Sequence, residues 1–203
     1  MTRMSFSEAL VETLVAHGVT HVFGIVGSAY MDALDLFEPA GIRFISVAHE
    51  QNAAHMADGF ARITGRHGVC IAQNGPGVTG FVTAVKTAYW NHTPMLLVTP
   101  QAANKTIGQG GFQEMEQMRL FTDSVCYQEE VRDPSRIPEV LNRVILKAWR
   151  GSAPAQINIP RDMWTQVIDV DLPQIVRFER PAGGEEAVAE AARLLSEAKA
   201  PVI

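Results

Sequence analysis

The positions of apolar and polar residues along the chain predict an alternation of short strands and amphipathic helices. Five runs of residues are mostly apolar, at 22–25, 42–47, 69–72, 95–99 and 155–159. Strands that are covered on both faces of a sheet have this composition. Helical periodicity follows the capping box Ser5-Phe6-Ser7-Glu8 up to Gly18, and it recurs near residues 29–37, 50–63, 78–90 and 135–150. The alternation predicts an α/β fold of the doubly wound type, with a mostly parallel sheet and helices on both faces.

The pattern changes after residue 168. The following segment contains two prolines and a Gly-Gly pair and has no helical period, which is typical of a linker. An amphipathic helix is predicted near 185–198, and residues 201–203 resemble the start of a strand. We therefore predict one domain, a linker and the truncated start of a second α/β domain, at 1–168, 169–184 and 185–203.

Composition and charge exclude several classes of protein. Hydrophobic residues make up 47% of the chain, enough for a folded core, and the net charge of −5 argues against nucleic-acid binding through a positive field. No apolar run approaches the roughly 18 residues of a membrane span, and the N-terminus lacks the apolar core of a secretion signal. The two cysteines, Cys70 and Cys126, form no CxxC pair and fit a reducing compartment, so we expect a cytoplasmic protein without a membrane partner.

One glycine-rich turn has the spacing of a ligand-binding motif. Gly75-Pro76-Gly77-Val78-Thr79-Gly80 matches G-x-G-x-x-G between a strand and a helix. A nicotinamide cofactor would also need an acidic residue about 20 positions further on, and residues 95–101 contain none, so that interpretation is rejected. Two interpretations stay open: a turn at which the backbone approaches a ligand closely, or a turn that serves helix–sheet packing alone.

A second feature is a long stretch without acidic residues. No Asp or Glu occurs from Gly59 to Gln113, although the stretch contains four cations, Arg62, Arg66, Lys86 and Lys105. Such a stretch predicts a locally positive region suited to an anionic ligand. Burial of sheet and helix would also explain the missing acids, but not the four cations.

A third feature is Glu50, which comes just after a predicted strand and begins a helix. The carboxyl edge of an α/β sheet is where ligands bind, although a carboxylate at a helix N-terminus also serves as a cap. His49, Glu50 and His55 do not have the H-E-x-x-H spacing that places two histidines on one helix face. We therefore predict no metal site in this chain.

Taken together, these motifs resemble the thiamine diphosphate enzymes of the acetolactate synthase and pyruvate decarboxylase superfamily, over about residues 4–168. The motifs are Val22-Phe23-Gly24, Ala48-His49-Glu50 with Ala57-Asp58-Gly59-Phe60-Ala61-Arg62, Asn74-Gly75-Pro76-Gly77, Gly111-Phe112-Gln113-Glu114 and Ile159-Pro160-Arg161-Asp162. Each motif alone is weak, but the set in this order is specific. The resemblance implies the pyrimidine-binding domain of such an enzyme, present here as an N-terminal fragment.

The resemblance also implies the cofactor and its binding residues. Glu50 would be the catalytic residue, hydrogen-bonded to N1′ of the aminopyrimidine of thiamine diphosphate, where a carboxyl with a raised pKa can share a proton. The residues implied to bind the cofactor are Gly24, Gly27, Glu50, Asn74, Gly75, Pro76 and Gly77. Mg²⁺ is implied as well, but its Gly-Asp-Gly…Asn signature belongs to a C-terminal domain and is absent from these 203 residues.

Within the superfamily, residues 73–94 and 99–114 resemble members that convert sulfoacetaldehyde and phosphate to acetyl phosphate and sulfite, in the breakdown of taurine and related sulfonates. Phe112 and Gln113 would lie on a loop that closes over the substrate. Both substrates are anions, so a cation is expected, with Lys105 as first candidate and His92 as second. A solvated loop lysine is the alternative for Lys105.

Two further hypotheses stay open at this stage. The chain could belong to an acetolactate synthase or another carboligase or decarboxylase of the same superfamily. It could instead be a non-catalytic α/β module that binds an anion. The resemblance implies a homodimer or homotetramer with the cofactor between subunits, so we expect the fragment alone to be inactive.

Overall fold

The computed structural model describes residues 1–175 and 182–202, and it confirms the doubly wound α/β architecture. Along the chain the elements are β1 (Thr2–Ser5), α1 (Phe6–Ala16), β2 (His21–Gly24), α2 (Met31–Phe37), β3 (Arg43–Ser46), α3 (Glu50–Thr64), β4 (Gly68–Ile71), α4 (Pro76–Thr79), α5 (Val82–Trp90), β5 (Met95–Gln101), β6 (Tyr127–Glu130), α6 (Ile137–Gly151), β7 (Ala155–Pro160), β8 (Val167–Val170) and α7 (Glu185–Glu197). All five predicted strands are confirmed, with ends within about two residues of those expected, the usual margin for element boundaries.

Six strands form one parallel sheet in the order β3-β2-β4-β5-β7-β6. From β2 the chain continues outward to β3, whereas from β4 it continues in the opposite direction to β5. The strand order therefore reverses between β2 and β4. The crevice outside the carboxyl ends of such neighbouring strands is where doubly wound proteins bind ligands.

The helices cover both faces of the sheet and bury two separate apolar cores. One core packs α1, α2 and α6 against the sheet, and the other packs α3 and α5 against the opposite face. Strand β4 contributes to both, because Val69 and Ile71 point to the first core and Cys70 to the second. Burial on both faces explains why the strand residues are continuously apolar.

The structure also contains elements that the apolar pattern did not predict. Strands β1 and β8 form a separate antiparallel pair, from Thr2↔Val170 to Ser5↔Val167, and β6 is a half-exposed edge strand. These strands carry polar residues because they face solvent. The prediction of one continuous helix at 78–90 was wrong, because Gly80 and Phe81 separate two helices, α4 and α5.

The segment after residue 168 is partly described. Strand β8 includes the first two residues of the predicted linker at 169–184, and residues 176–181 of that linker lie outside the described residues, as does Ile203. The predicted helix is confirmed as α7, all of whose residues are exposed. Among the helices that the structure describes, none has both the length and the apolar character of a membrane span.

A small aromatic cluster lies where α1 ends and β4 begins. The ring of His67 is 6.2 Å from that of His17 and 5.1 Å from that of Trp149, measured between centroids. His17 Nε2 lies 3.0 Å from Asn142 Oδ1. Burial and, to a smaller extent, the neighbouring His17 together lower the pKa of His67 to about 4, so His67 is neutral near pH 7.

The depressed pKa of His67 predicts acid destabilisation. Below pH 6.5 the unfolded chain binds a proton that folded His67 refuses until about pH 4, so the free energy of unfolding should fall over this interval by about 2 kcal/mol. Urea unfolding at a series of pH values would measure this. His67→Gln should flatten the curve over that interval; a curve unaltered by this substitution would contradict the assignment.

Candidate functional site

The structure brings most of the predicted site residues to one place, the carboxyl edge of the sheet at the β2/β4 crevice. Gly24 ends β2, Glu50 begins α3, and the turn at Gly75–Gly77 lies in the loop that follows β4. These segments meet because all parallel strands present their carboxyl ends to the same edge. Three segments that are far apart in sequence therefore lie together at the edge where α/β sheets bind ligands.

Glu50 is half-buried in the first turn of α3, but it is not the cap of that helix. The cap is His49, whose Nδ1 accepts the Gln51 backbone N–H at 3.1 Å. The Glu50 side chain lies against the glycine turn instead: a Cβ built on Gly77 would be 3.2 Å from Glu50 Oε1. Among the described residues no hydrogen bond is made to the Glu50 carboxylate, which leaves it available to a ligand.

Tyr30 is the buried neighbour of this carboxylate. Its side chain is fully buried, and its hydroxyl donates a hydrogen bond to the Ile25 carbonyl. Burial raises the pKa of Tyr30, and the negative charge of Glu50 raises it further. The Tyr30 hydroxyl is therefore neutral and places no second negative charge beside the Glu50 carboxylate.

The turn after β4 can be built only with glycine at its first position. Gly75 has φ 68° and ψ −108°, and a Cβ there would be 2.6 Å from the Gln113 carbonyl oxygen. Gly24 and Gly27 are also closely packed, since a Cβ would come within 2.4 Å of the Ile71 carbonyl oxygen and within 2.6 Å of Gln73 Oε1, respectively. The turn thus packs against another loop of the site, which the interpretation as a simple helix–sheet turn does not explain.

Two adjacent amides, Gln73 and Asn74, connect the loops of the site. Gln73 Oε1 accepts the Ala29 backbone N–H at 3.0 Å, and Gln73 Nε2 donates to Asn74 Oδ1 at 2.7 Å. Asn74 Nδ2 donates to the carbonyl oxygens of Phe112 and Gln113, at 2.8 and 3.1 Å. The side chain of Asn74, predicted to bind the cofactor, is therefore used to hold the neighbouring loop.

That loop carries both predicted substrate residues. Phe112 is 73% exposed, while Gln113 has φ 53°, which is uncommon for a residue with a side chain, and a buried Oε1 without a partner in the structure. Glu114 closes the loop on itself, accepting the backbone N–H groups of Gly108 at 2.7 Å and Gly111 at 3.0 Å. The loop is fixed at its base and exposes an aromatic ring at its tip.

Lys105 also lies at the carboxyl edge, beyond β5. It is exposed in a short 3₁₀ turn at Asn104–Thr106, and the Asn104 backbone N–H donates to Asp162 Oδ1 at 3.0 Å. Within the described part of the chain, no carboxylate forms an ion pair with Lys105. Its charge is therefore available at the carboxyl edge of the sheet.

The other predicted cations do not join it, so the expected positive region is not one patch. Arg62 pairs with Asp58 at 2.7 Å, and Lys86 pairs with Asp123 at 3.1 Å. Arg66 lies between α3 and β4, at the amino edge of the sheet. His92 likewise follows α5 and precedes β5, so the structure places this second substrate candidate at the edge opposite Glu50.

Sequence reasoning missed a set of buried polar residues beside the site. A crevice of about 690 Å³ opens at the carboxyl ends of β5, β6 and β7. Its polar lining includes Gln101, Gln117, Glu130 and Asn158. The available signal was the alternation Gln156-Ile157-Asn158 within a predicted buried strand, where a polar side chain needs a partner. In the part of the chain that the structure describes, no group of three or more His, Cys, Asp or Glu could hold a metal ion.

Comparison with known proteins agrees with this geometry. Residues 4–120 match the family model described as thiamine pyrophosphate enzyme, N-terminal TPP binding domain. A probable sulfoacetaldehyde acetyltransferase of Rhizobium meliloti is 74% identical over 201 residues, which cover 99% of this chain and 34% of that protein. The resemblance inferred from the motifs is thereby confirmed.

Two further relatives separate the members of the family. A sulfoacetaldehyde acetyltransferase of Roseovarius nubinhibens is 69% identical over 99% of this chain and 33% of its own length. An acetolactate synthase of Arthrospira platensis is 36% identical, over 99% of this chain and 37% of its own length. The chain spans about a third of the length of the relatives it matches.

The packing of Glu50 on Gly77 predicts unequal effects of two glycine substitutions. Gly77→Ala adds a methyl group 3.1 Å from Ala72 Cβ and 3.2 Å from Glu50 Oε1, so it should lower the free energy of unfolding by about 1–2 kcal/mol. Gly59→Ala, within α3, meets nothing within 4 Å and should raise it by about 0.5–1 kcal/mol. Urea unfolding of both variants would test this; equal effects would show that the turn is not tightly packed.

Proposed function

The chain belongs to the thiamine pyrophosphate enzymes, whose N-terminal TPP-binding domain it carries, and we propose that it is part of a sulfoacetaldehyde acetyltransferase. Such an enzyme would convert sulfoacetaldehyde and phosphate to acetyl phosphate and sulfite, in the breakdown of taurine and related sulfonates. The identities of 74% and 69% to relatives of that name, against 36% to an acetolactate synthase, support this assignment.

The observation that carries the proposal is the position of Glu50. Its carboxylate has no hydrogen-bonding partner among the described residues and lies against Gly77 in the crevice between β2 and β4. A flat aminopyrimidine needs this combination, a carboxylate for a ring nitrogen and a wall in which glycine backbone leaves room for the ring. We propose that Gly24, Gly27 and the turn at Asn74–Gly77, including Gly75 and Pro76, form the wall, with Asn74 acting through the loop it holds.

Thiamine diphosphate, when bound, supplies a nucleophilic carbon in its thiazolium ring and an electron sink. The part proposed for this chain is to hold a proton between Glu50 and N1′ of the aminopyrimidine. A half-buried carboxylate beside the neutral Tyr30 has little competition for that proton from other groups. Glu50 would thus be the catalytic residue of these 203 residues.

The substrate side is proposed to lie beyond β5. Lys105 carries an unpaired charge at this edge and would attract the sulfonate or the phosphate, and Phe112 and Gln113 would shield the reacting atoms from water. The crevice beside it is lined by Glu114, Glu116 and Glu130 and is a poor site for an anion. Lys105 is therefore better supported than the crevice as the contact for an anion.

Other features of the whole enzyme are proposed from the same family membership. Relatives about three times as long leave room for a central domain starting at 185–203 after a linker at 169–184, with 1–168 as the pyrimidine domain. Mg²⁺ and the diphosphate would be held by residues outside this chain. We also propose a homodimer or homotetramer located in the cytoplasm.

One assay separates the candidate activities. The full-length enzyme, supplied with thiamine diphosphate and Mg²⁺, should release sulfite from sulfoacetaldehyde in the presence of phosphate. Formation of acetolactate from pyruvate without sulfite release would instead identify an acetolactate synthase. Neither product, in a folded protein, would favour the non-catalytic anion-binding module.

Glu50→Gln in the full-length enzyme should keep the fold and slow the exchange of the cofactor C2 proton by orders of magnitude. An amide can still form a hydrogen bond at N1′ but cannot share the proton. Exchange of the thiazolium C2 proton into deuterium oxide, followed by NMR, would measure this. Glu12→Gln, an exposed position on α1, is the matched control; exchange at the wild-type rate in Glu50→Gln would refute the role.

Lys105→Ala should raise the KM for phosphate or sulfoacetaldehyde by about 10- to 100-fold, the effect of one charge-assisted hydrogen bond, and change the Kd of thiamine diphosphate much less. Steady-state kinetics in both substrates and calorimetry would separate these effects. Arg66→Ala removes a cation of the same acid-free stretch at the opposite edge and should change neither constant. Unchanged kinetics in Lys105→Ala would make Lys105 a solvated loop lysine.

A further inference from the structure

Gln117 is a fully buried side chain whose amide joins the turn after β4 to the interior of the sheet. Gln117 Oε1 accepts the Gly75 backbone N–H at 3.2 Å. Its Nε2 donates to the Pro100 carbonyl oxygen at 2.5 Å and to Asn158 Oδ1 at 2.7 Å. One side chain thus contacts the glycine turn, β5 and β7.

The orientation of this amide is fixed from behind. Asn158 Nδ2 donates to the carboxylate oxygen Oε2 of Glu130 at 2.7 Å, so Asn158 must turn its Oδ1 toward Gln117. That oxygen accepts Gln117 Nε2, which leaves Gln117 Oε1 as the acceptor for Gly75. A chain of hydrogen bonds therefore leads from Glu130 to the backbone of the turn, and each amide has a single satisfied orientation.

We propose that Gln117 is a positioning residue for the Gly75–Gly77 turn and, through it, for the cofactor. Gly75 has a backbone conformation that glycine adopts readily and other residues rarely adopt, and fixing so flexible a residue costs conformational entropy. The Gln117 side chain helps to hold it in place, because its Oε1 accepts the Gly75 N–H. Gly77, two residues on, forms the surface against which the Glu50 carboxylate lies. The consequence for cofactor binding rests on the proposed function; the anchoring of the turn does not.

The test compares Gln117→Met with Thr99→Val in the full-length enzyme. Thr99 belongs to the same buried network, bonding to Asn158 Oδ1 at 3.0 Å and accepting Gln156 Nε2 at 2.9 Å, but it makes no bond to the turn. Both variants lose buried hydrogen bonds and should lower Tm. Only Gln117→Met should speed amide hydrogen exchange of the peptide containing Gly75, by about tenfold. Only this variant should also raise the Kd of thiamine diphosphate, again by about tenfold, the effect of losing about one hydrogen bond.

A second variant covers the case in which Gln117→Met does not fold. Gln117→Glu keeps an oxygen that can accept the Gly75 N–H. When the new carboxyl group is ionised, its other oxygen would face the two acceptor oxygens that Gln117 Nε2 contacts in the wild type. When it is protonated, it can again donate a hydrogen bond to one of them. Protection of the Gly75 amide should therefore increase as the pH is lowered from about 8 to about 6, with no such response in the wild type.

The outcomes separate the anchoring from the proposed function. Exchange at Gly75 and a cofactor Kd in Gln117→Met that match those of Thr99→Val, or protection in Gln117→Glu that is independent of pH, would overturn the positioning role. A wild-type enzyme that binds no thiamine diphosphate would instead overturn the proposed function. In that case the exchange comparison alone still decides whether Gln117 anchors the turn.

Discussion

The close approach of two loop backbones, at Gly75 and Gln113, is the constraint from which the rest of the site follows. A Cβ at Gly75 would be 2.6 Å from the Gln113 carbonyl oxygen, so only glycine fits. Two loop backbones that pack this closely need hydrogen bonds to hold them in place. The side-chain amide of Asn74 donates to the Gln113 carbonyl oxygen, and that of Gln117 accepts the Gly75 N–H. With the turn fixed there, Gly77 meets the Glu50 carboxylate, and three loops from distant parts of the sequence form one surface.

The anchors are amides because their surroundings are buried. A buried donor or acceptor without a partner costs about 1–3 kcal/mol, and a side-chain amide can satisfy a backbone N–H and a backbone carbonyl at once. Gln113 departs from this pattern, with φ 53° and a buried Oε1 that has no partner in the structure. Strain and an unpaired polar atom in a single residue support the proposal that Gln113 contacts a ligand.

Sequence patterns predicted the layers of the fold well because burial on both faces makes a strand continuously apolar. They failed where that condition is absent, at the edge strand β6 and the β1–β8 pair. In the site, Glu50 and the glycine turn were recognisable because their chemistry restricts the residue type. Gln117 and Asn158 were not, because the hydrogen bond between them joins residues 41 positions apart, which no local pattern contains.

Counting charges along the sequence misjudged the electrostatics of the site for the same reason. The acid-free stretch begins one residue after Asp58, which pairs with Arg62 one helical turn away, and Lys86 finds Asp123 37 residues further on. The carboxylates beside the site are also engaged, Glu114 with backbone N–H groups and Glu130 with Asn158. Of the four cations in that stretch, Lys105 alone lies at the carboxyl edge without an ion pair among the residues that the structure describes. An anion bound at Lys105, as we propose, would therefore be selected by the geometry of a single loop, which the hydrogen bond from the Asn104 N–H to Asp162 fixes, and not by a positive field.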